Sequence, residues 1–532
     1  MAKLVESEIA VLEITNGKIF GLFNGQYYYF KGIPYAEPPI GEKRFESPKP
    51  LLKKWKGIRD ATKSANTCLC MEAFIHIKTG ALANYIRGSE DCLYLNVYTP
   101  KIYTEQLLPV VFFIHGGSFT SGSGDVLQEN TLMKHKNLIL VTFNYRLGPL
   151  GFISTEDDQI SGNMGLKDQR VALEWVYNNI KFFGGDPQYI LMAGFSAGGA
   201  SVEFQIIQPG IENLIKAAIS FSGSALCPWA INPNPLEDTI KVAKILNCSN
   251  IISTIEIKKC LKQAPAEDIV GTTENFLIYL YHPGRIWAPS IESPLSNDAI
   301  LLEKPENLIR KGFTNRVPYL SSCTSEDGVF VNAELLRFRG DGTVGLDYFN
   351  EHYKEFLPVI LFYNERIHNR KELDIYTEKL YEDVGIFNGT VTLENFDKLT
   401  RIFTKELITD GVFKSWRLHK ENGNIPIYNY VYSNPATFGL AHYITMRDDI
   451  NFGCGHGDDV FLIFNFPERD LKPFSESELR ISDNLVKMLE TFVLTGVPKF
   501  DNETLPSNFR NSVEKLQFLN ITSSSARVEI LP

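Results

Sequence analysis

Residues 189–206, YILMAGFSAGGASVEFQI, contain Gly194-Phe195-Ser196-Ala197-Gly198, a G-x-S-x-G string between an apolar run and an amphipathic one. Between a strand and a helix, such a string forms a turn that lifts the serine out as a nucleophile. The glycines leave room where Cβ atoms would clash. The hydroxyl then sits beside the positive end of the following helix, which favours developing negative charge. A serine placed this way attacks carbonyl carbon, and the chemistry implied is acyl transfer. The bland alternative is a glycine-rich turn with a solvent-facing serine. The strand expected to end at Ala193 and the helix after Ser196 weigh against it.

Acyl transfer builds an oxyanion, and backbone N–H groups aimed at it supply the largest single stabilisation. Residues 110–124, VVFFIHGGSFTSGSG, end an apolar strand in His115-Gly116-Gly117-Ser118-Phe119. A glycine-rich loop after such a strand suits this task. The N–H groups of Gly117, Ser118 and Ala197 are the expected donors. His115 could be mistaken for a base, but a histidine beside these glycines is more often structural.

A serine nucleophile needs a base, and the base needs an orienting carboxylate. Histidines stand at 76, 115, 135, 282, 352, 368, 419, 442 and 456. His456, in FGCGHGDDVFLIF, lies between two glycines and just before an apolar segment; His442, in LAHYITM, is the runner-up. For the acid, YLSSCTSEDGVF ends a short apolar strand in Glu326-Asp327-Gly328. Acids just past strand ends lie where α/β active sites form. Either carboxylate gives the chain order nucleophile, acid, base of α/β hydrolases.

These groups need a frame to hold them. Strand patterns fall at 8–14, 17–22, 26–32, 93–98, 109–115, 138–144 and 189–193, and a helix is expected over 165–182. Residues 110–114 and 139–143 are nearly continuous apolar runs, as in strands buried on both faces of a mainly parallel sheet. Alternation of strand and helix reads as α/β. Residues 235–315 and 335–417 read as mostly helical insertions. The formal net charge of −10 argues against binding a phosphate backbone. No apolar run approaches the roughly 20 residues of a membrane span. The start, MAKLVESEIAVLEI, lacks a signal-peptide apolar region, which reads as a cytosolic protein or a mature chain with a replaced start. Sequons at Asn247, Asn388, Asn502 and Asn520 decide nothing alone.

The sequence resembles type-B carboxylesterases of the carboxylesterase/cholinesterase family, the insect enzymes above all. The resemblance runs through FKGIPYAEPPIGEKRF (30–45), SEDCLYLNVYTP (89–100), the HGGSF loop, NYRLGPLGF (144–152), GNMGLKDQR (162–170), GFSAGGAS (194–201), SGSALCPWA (222–230), SEDG (325–328) and GHGDD (455–459). It implies one α/β-hydrolase domain over 1–532. A large, mostly parallel twisted sheet is flanked by helices, and helical insertions form a gorge. It implies the triad Ser196, Asp327, His456, with Asp327 preferred over Glu326 because the family's acid immediately precedes glycine. Most members carry Glu there, so Asp327 is one methylene shorter. The resemblance also implies ion pairs Arg44–Glu90 and Arg146–Asp168 and disulfides Cys68–Cys92 and Cys248–Cys260, with Cys70 competing for Cys92. Such bridges favour an oxidising compartment, hence secretion, against a cytoplasmic alternative.

Phe119, Phe195 and Trp229 are the expected pocket residues, Trp229 as an acyl-pocket wall. The third glycine of the family's oxyanion loop is Ser118 here. Phe195 stands where cholinesterases carry Glu, and no Trp lies between Cys68 and Cys92. A quaternary ammonium would lose its cation–π partner and a nearby carboxylate. The implied activity is serine hydrolysis of neutral, hydrophobic esters (xenobiotic, pheromone or lipid-like), in a secreted glycoprotein suited to detoxification and insecticide binding. The expected partner is a small-molecule ester, with no cofactor or metal, in a monomer or homodimer. A juvenile-hormone-type esterase and a non-catalytic adhesion or binding protein are the alternatives. Phe195, where juvenile hormone esterases carry Gln, counts against the first; the filled triad positions count against the second.

Overall fold

The computed structural model describes residues 8–72, 85–279, 282, 286–312, 316–337, 345–423, 425–465, 473–508, 515–522 and 525–531. His76 and parts of both expected insertions lie outside these residues.

A mixed sheet carries the fold. Its strands are β1 (Glu8–Ile14), β2 (Gly17–Phe23), β3 (Tyr28–Pro34), β4 (Tyr94–Thr99), β5 (Leu108–Ile114), β6 (Ile139–Phe143), β7 (Gly185–Phe195), β8 (Ala217–Phe221), β9 (Tyr319–Thr324), β10 (Ile427–Tyr432), β11 (Gln517–Ile521) and β12 (Ala526–Ile530). The order across the sheet is β1-β2-β3-β4-β6-β5-β7-β8-β9-β10-β11-β12, and two short strands, Ile58–Asp60 and Ser507–Asn508, pair with β2 and β10. From β6 to β11 every pairing along this order is parallel; β1 to β4, and β12, are antiparallel.

The apolar runs behave as their composition dictates. Val110, Phe112 and Ile114 enter one buried cluster with Ile139, Val141 and Phe143. Val111 and Phe113 enter a second cluster with Leu138 and Leu140. Successive side chains point to opposite faces of a sheet, so covering both faces demands apolar residues at every position. The one-sided edge strand β1 instead alternates exposed and buried residues.

Among the helices, α1 (Met164–Asn179) continues as a 3-10 turn over Ile180–Phe183 and stops at Gly184, φ +82°. The helix expected over 165–182 is therefore present, with its last turn tightened. Next come α2 (Ala197–Ile206), α3 (Val329–Asn332), α4 (Gly345–Ile360), α5 (Phe396–Thr404), α6 (Asp410–Asn422) and α7 (Val460–Ile463). A π-helical turn, Lys405–Thr409, joins α5 to α6. Because β5, β7, β8 and β9 are parallel, the segments after them all leave one edge of the sheet. Those segments are the 115–124 loop, Ser196, Ser222 and the 325–328 turn.

Candidate active site

Strand β7 runs to Phe195, two residues past the expected end, and α2 begins at Ala197. Ser196 is left alone between them at φ +59°, ψ −121°. A non-glycine residue held there stores about 1–3 kcal/mol of strain, and such strain gathers at functional sites. The glycines make the turn possible. A Cβ on Gly194 would lie 2.2 Å from the Gly198 carbonyl oxygen, and one on Gly198 would lie 2.1 Å from that of Ile114.

The 115–124 loop packs against this turn. Gly117 has φ +111°, Ser118 +54° and Phe119 +58°. The N–H groups of Thr120 and Ser121 both return to the Gly117 carbonyl at 2.9 Å. Those of Gly117, Ser118 and Ala197 meet no acceptor among the described residues. His115 serves the loop. Its Nδ1 donates to the Gly116 carbonyl at 2.8 Å, and its ring stacks on Tyr145 at 4.4 Å. Burial pushes its pKa down to about 4.

Asp327 and His456 meet although 129 residues separate them. His456 Nδ1 donates to Asp327 Oδ1 at 2.5 Å. Asp327 is fully buried, and its Oδ2 accepts from the Ser222 hydroxyl at 2.7 Å and the Thr324 N–H at 2.8 Å. The other carboxylate of the turn points elsewhere. Glu326 Oε2 accepts from the Cys454 N–H at 2.8 Å and from the Ser325 hydroxyl. The imidazole of His456 lies between two rings, Phe330 at 4.4 Å and Phe195 at 4.6 Å. Its Nε2 is buried and has no hydrogen-bond partner among the described residues. Ser196 and His456 line the same cavity. The runner-up, His442, instead uses Nδ1 to accept from the Gly439 N–H at 3.1 Å.

The arrangement is one that many chains could reach by convergence, so relatives decide the family. The carboxylesterase family profile matches residues 8–530. This chain belongs to the carboxylesterase family. It is 39% identical to Esterase-5B of Drosophila persimilis over 515 residues, 96% of this chain and 93% of that one. It is 40% identical to Esterase-5A of Drosophila miranda over 521 residues, 96% and 91% of the two chains. Esterase-5C of Drosophila miranda is 37% identical over 516 residues, 96% and 93%. The enzyme is a carboxylic ester hydrolase with the α/β-hydrolase fold.

The esterase's cavity opens beside Ser196. Trp229, Phe330, Val331 and Ile360 form part of its wall. Phe362, at φ +60°, and the π-turn residues Leu407 and Ile408 form the rest. Polar groups enter through Ser118, Ser196, His456 and His282. Burial pushes the His282 pKa down to about 3, which leaves that imidazole uncharged. No carboxylate or cationic side chain lies on this lining among the described residues.

Two expected pocket residues stand elsewhere. Phe119 is fully buried behind the wall, its ring 5.2 Å from Phe152 and 6.5 Å from Trp229. Its left-handed backbone turns the side chain inward, off the lining. Phe195 does not line the cavity either; it packs against His456 and Phe461, because the turn lifts only the residue after it. Sequence reasoning misses Ser222 and Phe330, although both sit in or beside telling blocks, SGSALCPWA and SEDGVF.

The implied scaffold is present. Arg44 grips Glu90 through two hydrogen bonds of 2.6 and 2.7 Å, and Arg146 grips Asp168 through two of 2.8 Å. Disulfides join Cys68 to Cys92 and Cys248 to Cys260. Cys70 is a buried free thiol whose pKa burial pushes up to about 12. Among the described residues no helix is long and apolar enough to cross a membrane.

Proposed function

We propose that this enzyme hydrolyses neutral, hydrophobic carboxylic esters through an acyl-enzyme formed on Ser196. One observation carries the reading: the Asp327–His456 pair stands beside the strained Ser196 at an apolar cavity whose lining, among the described residues, carries no carboxylate, lysine or arginine. Ser196 Oγ attacks the ester carbonyl carbon and passes its proton to His456 Nε2. The carbonyl oxygen takes up the electron pair and is met by the N–H groups of Gly117, Ser118 and Ala197. Collapse breaks the bond to the alkoxy oxygen, which leaves with the proton from Nε2. Water then repeats the sequence on the acyl-enzyme and releases the acid. Asp327, held by Ser222 and the Thr324 N–H, keeps the Nδ1 proton of His456 in place and balances the imidazolium.

Trp229 is assigned to the wall that meets the acyl group. Choline esters fit poorly, because the lining offers no anionic partner among the described residues. Two disulfides favour an oxidising compartment, so the enzyme is read as secreted, with glycans on the exposed Asn247, Asn388 or Asn502. A radiolabelled organophosphate followed by peptide mass spectrometry tests the nucleophile. Label on Ser196 with loss of activity is expected; label elsewhere with the same loss overturns the assignment. Neutral aryl and aliphatic esters should show far higher kcat/KM than acetylthiocholine, and comparable values would overturn the substrate class.

A further inference from the structure

The enzyme holds a second buried carboxylate–histidine pair that the reaction above does not use. Glu203, on α2 seven residues after Ser196, has 0% of its surface exposed. Its Oε2 accepts from the Ser224 hydroxyl at 2.5 Å and from the Ala225 N–H at 2.8 Å. Its Oε1 accepts from His419 Nε2 at 2.9 Å and from the Ser415 hydroxyl. Burial alone would raise the carboxyl pKa, yet these bonds prevail and hold it below the ordinary value. An ionised carboxylate sealed in protein is stabilising only while its partners stay in place.

Those partners belong to segments that carry the cavity wall. α2 starts from Ser196. Ser224 and Ala225 open the loop that leads to Trp229. Ser415 and His419 lie on α6, directly after the π-turn of Leu407 and Ile408. A π-turn is wider than an α-turn and gathers at functional sites. Here it presents its carbonyls to the loop: Trp229 Nε1 donates to the Leu407 carbonyl at 2.8 Å and Cys227 Sγ to that of Ile408 at 3.6 Å. The loop and helix also touch closely at Gly411, where a Cβ would lie 2.7 Å from Cys227 backbone atoms. Glu203 is thus the point from which the nucleophile helix holds both halves of one wall.

We propose that Glu203 is a positioning residue for substrate selection: through Ser224, Ala225, Ser415 and His419 it fixes the distance between Ser196 and the wall of Trp229, Leu407 and Ile408. That distance decides how long an ester half fits against the wall. The inference rests on the reading of Ser196 as the nucleophile of this cavity.

The test uses Glu203→Gln and Ser415→Ala in the full chain, with active sites first titrated by an organophosphate. Two ester series are compared per titrated site: p-nitrophenyl esters of rising acyl length, and esters of one acid with alcohols of rising length. The kcat/KM ratio between longest and shortest member should shift about tenfold for Glu203→Gln in one series, the scale set by one methylene in an apolar pocket. In the other series it should stay within about threefold. Equal losses across both series would mark Glu203 as merely structural and overturn the proposal, as would unchanged ratios. Should Glu203→Gln fail to accumulate, Ser415→Ala carries the test, since it keeps the charge and three of the four bonds. A shift of about threefold in the same single series is then expected, and its absence overturns the proposal. Retained activity in Ser196→Ala would instead break the underlying nucleophile reading, whatever the ratios show.

Discussion

Asp327 with His456, and Glu203 with His419, are both buried carboxylate–histidine pairs. Both carboxylates are fully sealed from solvent, and both accept a serine hydroxyl and a backbone N–H besides the imidazole. They differ in where the far side of the imidazole looks. His456 lines the cavity that holds Ser196, and its Nε2 has no hydrogen-bond partner among the described residues. His419 Nδ1 is buried without a hydrogen-bond partner among the described residues, and its ring packs 5.4 Å from Tyr319. On the proposed mechanism, the same pair of groups moves a proton in one place and only holds segments together in the other. Access to a reacting atom, not the pair itself, separates a base from a clamp.

The largest expected effect breaks the reactive side of that comparison. Ser196→Ala should cut kcat by about a millionfold while thermal unfolding stays close to wild type, as removal of a serine nucleophile does elsewhere. Asp327→Asn follows, with kcat lowered about a thousandfold or more, because the imidazole loses its tautomer and the imidazolium its counter-charge. Single-turnover kinetics on p-nitrophenyl esters would measure both. A small loss in Asp327→Asn would place the two histidine pairs on the same structural footing.

The clamp should answer in stability. Glu203→Ala leaves His419, Ser224, Ser415 and the Ala225 N–H without their shared acceptor, and breaking a buried pair of this kind costs about 3–5 kcal/mol. Urea unfolding would read it, and a loss below about 1 kcal/mol would contradict the role of clamp. The pH dependence has a definite sign. Glu203 is held below its ordinary pKa of 4.5 in the folded protein. Its stabilisation is complete above that value and fades as the pH falls through the lowered one. The gap in stability between wild type and Glu203→Gln should therefore narrow on acidification below 4.5, and a gap that widened there would contradict the ionised state of Glu203.

The Asp327–His456 pair is legible in the amino-acid sequence and the Glu203–His419 pair is not, for a physical reason. Ser196, Gly117 and His456 sit in loops whose glycines are demanded by close approach, and that demand leaves short strings in the chain. The parallel strands are equally plain, because a sheet covered on both faces needs apolar residues at every position. Glu203 sits inside a helix, 216 residues from His419, and nothing local marks it as buried. Leu407 and Ile408 read as any helical apolar pair, since the π-turn that exposes their carbonyls has no composition of its own. Phe119 and Phe195 mislead in the opposite sense. Each neighbours Ser118 or Ser196 in sequence, but side-chain direction in a tight turn changes from one residue to the next, and neither ring is part of the cavity lining.

The smallest effect concerns the carboxylate next to Asp327. Glu326 lies one residue away, yet its Oε2 holds the Cys454 N–H at 2.8 Å, and its own N–H reaches the Cys454 carbonyl at 3.0 Å. Cys454 is two residues before His456, so Glu326 ties the turn that carries His456 without bonding its imidazole. Glutamine has the same length and keeps one side-chain oxygen to accept from that N–H. What it removes is a nearby charge and the stronger form of the hydrogen bond, worth about 1–2 kcal/mol at most. Glu326→Gln should therefore lower kcat about tenfold or less, well short of Asp327→Asn. Measured side by side on one ester, the two substitutions fix the register of the 325–328 turn. If Glu326→Gln proved the more damaging, the acid that orients His456 in the working enzyme would be Glu326, and Asp327 would join Glu203 as a clamp.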